Sequence, residues 1–242
     1  MKFDMEKVYA YIDAHSEEYI ELLRVLVRQP SIAASGEGIA DMVKLVKKSL
    51  ENVGALPQEI KTPGNPVVYA EIKGENDRTF GFYDHYDVQP VDPLGEWVDP
   101  PYSAAIHDGA IWGRGVADNK NGLASKLCAV DAFRKVYGKL PVNVKFIVEG
   151  EEEIGSPNLP IFAQEHPALL TCDGYNWEGG MKEEGAPAQV HFGSKGLLYV
   201  ELCAKGPKVD THSCYAPIVT NPAWRLVWAL STLKDKDDRI TI

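Results

Sequence analysis

Between Glu6 and Val27 the apolar positions Val8, Ile12, Tyr19, Leu22, Leu23 and Leu26 recur at about 3.6 residues, which predicts an amphipathic helix or a broken pair of helices. Ile39, Met42, Val43, Val46 and Leu50 form a second stripe, with Lys44, Lys47 and Lys48 on the solvated side and Gly54 as its stop. The pattern then changes character. Gln58 to Lys61, Val67 to Lys73 and Thr79 to Tyr83 are short runs rich in β-branched or aromatic residues. They predict strands, because Pro63-Gly64-Asn65-Pro66 and Gly74-Glu75-Asn76-Asp77 between them supply turn chemistry. From Asp84 to Gly115 the chain is a predicted loop region, interrupted by one hairpin around Asp108-Gly109, a pair that suits a type I′ turn. Further on, the pattern predicts a helix over Leu123 to Tyr137, a buried strand over Val142 to Val148, a short helix over Leu159 to Glu165 and an apolar strand over Ala168 to Cys172. Strands alternating with helices predict an α/β fold on a mixed, largely parallel sheet, and such sheets collect ligands at the carboxyl ends of their strands.

After Gly193-Ser194-Lys195-Gly196 the pattern predicts a strand over Leu197 to Ala204, a helix from Asn221-Pro222 to about Leu233 and the start of a strand at Arg239 to Ile242. Two domains are expected, residues 1–190 and 191–242. The second buries too little to stand alone, so the chain is expected to be the front part of a longer protein, cut inside that domain.

With 242 residues, 45% of them apolar, there is material for one sizeable core and a small appended module. A net charge of −10 argues against nucleic acid or an anionic membrane as partner. The first twenty residues mix charge with apolar positions and resemble neither a signal peptide nor a membrane span, so a cytoplasmic protein is expected. Cys128, Cys172, Cys203 and Cys214 contain no C-x-x-C pair, and buried free thiols are expected. Cys172 precedes Asp173, which is the better ligand of the two for a hard or borderline cation.

Three features carry candidate chemistry. In His85-Tyr86-Asp87 alternate side chains share a face, so Asp87 is placed to hold the ring nitrogen of His85 that faces away from a metal. Taken alone the pattern equally fits a loop histidine beside an acid. Asp118 sits in GRGVADNKNG before a predicted helix, where a carboxylate serves as a cap or as a ligand. Glu152-Glu153 ends the strand over Val142 to Val148 within the acidic run EGEEE. Neighbours in an extended chain point in different directions, so one can ligate while the other faces substrate; the competing reading is a solvated acidic cluster. Together these types suit a two-metal hydrolase, in which carboxylates and imidazole hold the ions and an uncoordinated carboxylate acts as base.

The segments DHYDVQP (84–90), GRGVADNKNG (113–122) and EGEEEIGS (149–156) resemble, in order and spacing, the three metal-site motifs of a metallopeptidase family. That family includes the carnosinase-like dipeptidases, glutamate carboxypeptidase, aminoacylase, acetylornithine deacetylase and succinyl-diaminopimelate desuccinylase. The dipeptidase branch is the most similar, and the resemblance covers nearly the whole chain. It implies a three-layer zinc-exopeptidase-like catalytic domain followed by the start of an α+β lid or dimerisation domain. It also implies two divalent ions, zinc with manganese or cobalt as alternatives. By resemblance Asp118 bridges the ions, His85 and Glu153 bind on either side, Asp173 is a second-site ligand with Glu178 as its rival, Glu152 is the general base and Asp87 orients His85. His212, in VDTHSCYAP, matches a histidine that polarises the scissile carbonyl, often across a dimer interface. Asp84 departs from the family, where many relatives have Gly, and Asn121 stands between Lys120 and Gly122 where relatives often join them directly. Another metal-binding histidine and an arginine for the substrate carboxylate are expected beyond Ile242. The implied activity is cleavage of a dipeptide, or of an N-acyl amino acid by a deacylase or desuccinylase of the same family, in a homodimer. A truncated relative that only binds metal or a partner is the reading from another class.

Overall fold

The computed structural model of the chain describes residues 3–179, 182 and 185–242. It falls into two units, Met1–Gln189 and Val190–Ile242.

The first unit opens with a broken helix pair, α1 (Met5–Ala14) and α2 (Ser16–Arg28), separated at His15, followed by α3 (Ile39–Asn52). Strands β1 (Gln58–Ile60), β2 (Val67–Ile72) and β3 (Thr79–His85) follow. A separate hairpin, β4 (Ala105–His107) and β5 (Ala110–Trp112), turns at Asp108 and Gly109. Both turn residues have positive φ, 55° and 74°, as the type I′ expectation requires. The unit then runs through α4 (Asn121–Tyr137), β6 (Asn143–Glu149), α5 (Leu159–Glu165), α6 (Pro167–Leu170) and β7 (Gly174–Asn176).

The five-stranded sheet has the order β1-β2-β6-β3-β7. β3 runs parallel to β6 and β7, while β2 is antiparallel to β6 and to β1. Four strands therefore point one way and β2 alone opposes them, which is the mixed, largely parallel sheet that the alternation predicts. The carboxyl ends of β3, β6 and β7 lie along one rim.

Alternation along the strands builds two cores. Val68, Ala70, Val144, Phe146 and Val148 face Leu26, Met42, Val46, Leu50, Leu123 and Leu127 from α2, α3 and α4. Val67, Tyr69, Tyr83 and Ile147 face the other way, against Phe162 of α5. Phe146 is fully buried on β6, with its ring 5.3 Å from that of Phe82 on β3. Phe146→Ala is expected to destabilise the chain by about 3–5 kcal/mol, because the cavity adds to the lost transfer energy. Urea unfolding followed by circular dichroism checks this, and a midpoint equal to that of the parent would refute it.

The structure departs from the sequence-based expectation in the last strand of this unit and in the cysteines. Ala168 to Cys172 is not a strand: Pro167 starts the short α6, and the strand is β7, beginning at Gly174. So short an apolar run cannot be told from a helical turn by periodicity, and Pro167 at the first position favours the helix. The cysteines also differ from the buried thiols expected. Cys128 and Cys172 are half-buried, and Cys203 and Cys214 are exposed.

The second unit contains α7 (Pro222–Ser231), capped by Asn221 Oδ1 accepting from the Ala223 N–H at 2.9 Å. The strand expected over Leu197 to Ala204 does not form, and Arg239 to Ile242 contributes only a single bridge between Lys234 and Ile240. A strand needs a neighbour for its backbone donors and acceptors. Among the described residues of this unit no second strand supplies one.

Candidate metal centre

The rim is assembled by short connections after three parallel strands. β3 ends on His85, whose side chain is fully buried. Its Nδ1 lies 3.0 Å from the backbone oxygen of Asp87 and 3.4 Å from Asp87 Oδ1. Asp87, also fully buried, accepts from the backbone N–H groups of Glu152 and Glu153 at 3.2 and 3.1 Å. One carboxylate thus fixes the imidazole and anchors the turn after β6 that carries both glutamates.

Among the described residues the other ring nitrogen is paired only with acids. His85 Nε2 is 3.0 Å from Asp118 Oδ1, 3.1 Å from Glu178 Oε2 and 3.9 Å from Glu152 Oε2. A single N–H can serve one of these oxygens. Ligand atoms of His85, Glu152 and Glu178 all lie within 4.8 Å of one another. Burial alone would depress the His85 pKa, but the hydrogen bond to Asp87 and the charges of Glu178, Asp87 and Glu152 outweigh it and raise it to about 10. Burial raises Glu178 to about 7, with Glu152 and Asp118 adding repulsion against the opposing help of His85 and Asn119. Glu153 is raised by burial, and Gln89 Nε2 donates to its Oε2 at 3.0 Å and to its backbone oxygen at 2.8 Å. Carboxylates crowded around one imidazole are a donor set that a divalent cation fits.

Asp118 does not open a helix as expected. It is extended (φ −133°, ψ 101°) within an irregular turn at Val116–Lys120, and α4 starts only at Asn121. The peptide joining Asp118 to Asn119 is cis. The turn is tied down by Lys120, a fully buried side chain whose Nζ donates to the Gln29 carbonyl at 2.6 Å, at the end of α2. Burial pulls the Lys120 pKa down to about 7.

Asp173 is misplaced by the sequence reading. Its Oδ2 accepts from the Thr79 N–H at 2.7 Å, at the amino end of β3. β3 spans seven residues from Thr79 to His85, about 20 Å at the rise of a strand. Cys172 lies next to Asp173, before the start of β7. Glu178, the rival, follows the carboxyl end of β7 and occupies the place foreseen for Asp173. His212 belongs to the second unit, where its Nδ1 accepts from the Cys214 N–H at 3.1 Å. Gln89 and Asn119 lie inside two of the quoted motifs without having been singled out. Asn119 Nδ2 donates to Glu178 Oε2 at 3.1 Å. For Asn119 the available signal is an amide side chain directly after the candidate ligand Asp118; Gln89 has no such neighbour in the sequence.

Comparison with known proteins gives the family. The profile described as "Peptidase family M20/M25/M40" matches residues 81–236, and the chain belongs to this family. It is 30% identical over 263 residues to human Beta-Ala-His dipeptidase, covering 98% of this chain and 51% of that protein. It is 27% identical over 268 residues to the Cys-Gly metallodipeptidase dug1 of Schizosaccharomyces pombe, covering all of this chain and 55% of the other. Among solved structures, an M20 family metallo-carboxypeptidase from Sulfolobus solfataricus superposes with a TM-score of 0.84 at 41% identity, over 92% of this chain and 51% of that one. The chain spans about half the length of the relatives it matches. No described helix is long and apolar enough to cross a membrane.

Proposed function

We propose that the protein carrying this chain is a metal-dependent dipeptidase. The observation that carries the reading is His85 Nε2 facing Asp118, Glu178 and Glu152 with one proton to offer. His85, Asp118, Glu178 and Glu153 would hold two divalent ions, zinc by preference and manganese or cobalt as alternatives. Bound there, the ions supply Lewis acidity toward the peptide carbonyl and toward water. Asp87 keeps the His85 ring in register through Nδ1 and holds the Glu152 and Glu153 backbone. Gln89 steadies Glu153. Glu152 takes a proton from the attacking water and delivers it to the departing amine nitrogen. The resemblance gives His212 the part of polarising the scissile carbonyl, and a homodimer as the working assembly. The dipeptidases among the relatives favour a dipeptide over an N-acyl amino acid as substrate.

The test uses the chain as it is. Zinc and manganese binding, measured by equilibrium dialysis with elemental analysis, is expected to give about one to two ions per folded chain. His85→Ala should abolish the binding. Without metal, His85 carries a proton below about pH 10 and Glu178 below about pH 7. Metal binding at pH 7 should therefore release about one to two protons. Affinity should fall as pH drops, more steeply below pH 7, where both groups are protonated, than between 7 and 10. Calorimetry in two buffers of different ionisation enthalpy reads the release. Absence of specific binding by the folded chain, or binding that His85→Ala leaves unchanged, would overturn the assignment.

A further inference from the structure

Behind the rim, on the α4 side of β3, lies a buried polar cluster that the reaction above does not use. Asp84 is fully buried, and its Oδ1 accepts from Lys126 Nζ at 2.8 Å and from Asn119 Nδ2 at 3.3 Å. Lys126, its side chain only 8% exposed, also donates to the Tyr83 carbonyl at 2.8 Å. The second oxygen of Asp84, Oδ2, is buried without a hydrogen-bond partner among the described residues. A buried ion pair that leaves one oxygen unsatisfied is a poor source of stability. Its geometry is better suited to holding Asn119.

The Asn119 carboxamide has two N–H donors on one nitrogen. Here that nitrogen sits between two carboxylates, Asp84 Oδ1 at 3.3 Å and Glu178 Oε2 at 3.1 Å. The reverse orientation would set the amide oxygen against both acids, so Asp84 selects the orientation that gives Glu178 a donor. The cluster is close-packed on one side: a Cβ at Gly122 would fall 2.3 Å from Asn119 Oδ1 and 2.7 Å from Asp84 Oδ1. Asn119 also borders a cavity of about 280 Å³, lined besides by Gly122, Ser125, Lys126 and Trp177. Asn119 thus has room to turn away once its second acceptor is gone.

We propose that Asp84, neutralised by Lys126, is a positioning residue for the candidate metal centre: it locks the Asn119 carboxamide, which in turn aims Glu178 at His85. This rests on the metal-centre reading above. Lys126 makes the buried carboxylate tolerable and Asp84 makes the amide directional.

Two double variants of the chain separate positioning from stability, since each removes both charges and leaves no lone buried ion. Asp84→Asn with Lys126→Met keeps an oxygen acceptor for Asn119, and Asp84→Ala with Lys126→Met removes it. The probe is cobalt(II), whose visible absorption reports coordination, titrated into samples matched by circular dichroism. The Asn pair should retain the parent's cobalt affinity and spectrum. The Ala pair should bind about 10–100-fold more weakly, as when a partner outside the ligand set is lost, with a changed spectrum. Asn119→Ala should reproduce that loss, and adding the Ala pair to it should cost nothing further, the signature of residues acting through one another. Parental affinity and spectrum in the Ala pair, or in Asn119→Ala if the Ala pair does not fold, would overturn the positioning role and leave the metal centre standing. A parent chain that binds no cobalt would overturn both.

Discussion

Glu152→Gln is expected to slow dipeptide hydrolysis by the protein carrying this chain ~10²–10⁴-fold, the usual contribution of a positioned acid–base group, while its metal content stays unchanged. The reason lies in the spacing around His85 Nε2. Asp118 and Glu178 approach to 3.0 and 3.1 Å, whereas Glu152 Oε2 stands off at 3.9 Å. That is too long for a direct hydrogen bond, so the carboxylate is not committed to the ring. Its side chain is 35% exposed, so solvent reaches it. Its backbone is held by Asp87, and that anchor survives substitution of the side chain. Gln keeps the shape and the acceptor oxygen but cannot carry the transferred proton. Steady-state rates on a dipeptide, beside elemental analysis of the same samples, check the expectation. Loss of metal together with activity would make Glu152 a ligand and require a different base.

The three motif segments were legible because their chemistry is local. His85, Glu152 and Glu153 lie where apolar strands end, and strand ends can be read from the apolar run that precedes them. The hairpin at Asp108-Gly109 was legible for a similar reason, since the residues themselves demand positive φ. β7 was not. Gly174-Tyr175-Asn176 is short, only partly covered and contains two weak β formers, and it is a strand because β3 offers it an edge. The apolar Ala168-Leu169-Leu170 beside it drew the strand assignment instead. That shift moved the rim position with it. A strand ending near Cys172 puts Asp173 on the rim, whereas a strand ending at Asn176 puts Glu178 there. The run from Leu197 to Ala204 shows the converse, a strand-like pattern without a partner strand among the described residues of its unit. The Asp84, Asn119 and Lys126 cluster was hidden for yet another reason. Its members come from β3, the turn before α4 and α4 itself, and only the packing of α4 on the sheet brings them together.

Glu178→Ala and Asp173→Ala should therefore separate cleanly. Glu178 Oε2 lies 3.1 Å from His85 Nε2 and accepts from Asn119, and its pKa near 7 reflects burial among other acids. Loss of a partner outside the ligand set weakens metal binding ~10–100-fold, so loss of this candidate ligand should weaken it by more than ~100-fold. One tightly held ion should disappear from the folded chain. Asp173 accepts a single backbone hydrogen bond from Thr79 at the opposite end of β3. Its replacement should leave metal affinity at the parental value and cost about 1 kcal/mol of stability, the net worth of one such bond. Zinc titrations against a competing chelator, paired with urea unfolding of both variants, read the two effects independently. Metal loss in Asp173→Ala with retention in Glu178→Ala would reverse the assignment and place the second-site ligand where the sequence first suggested. The expected pattern instead makes the carboxyl end of β7 the third wall of the site, completing with β3 and β6 a rim on which neighbouring parallel strands each deliver a ligand from the residues at or just beyond their ends.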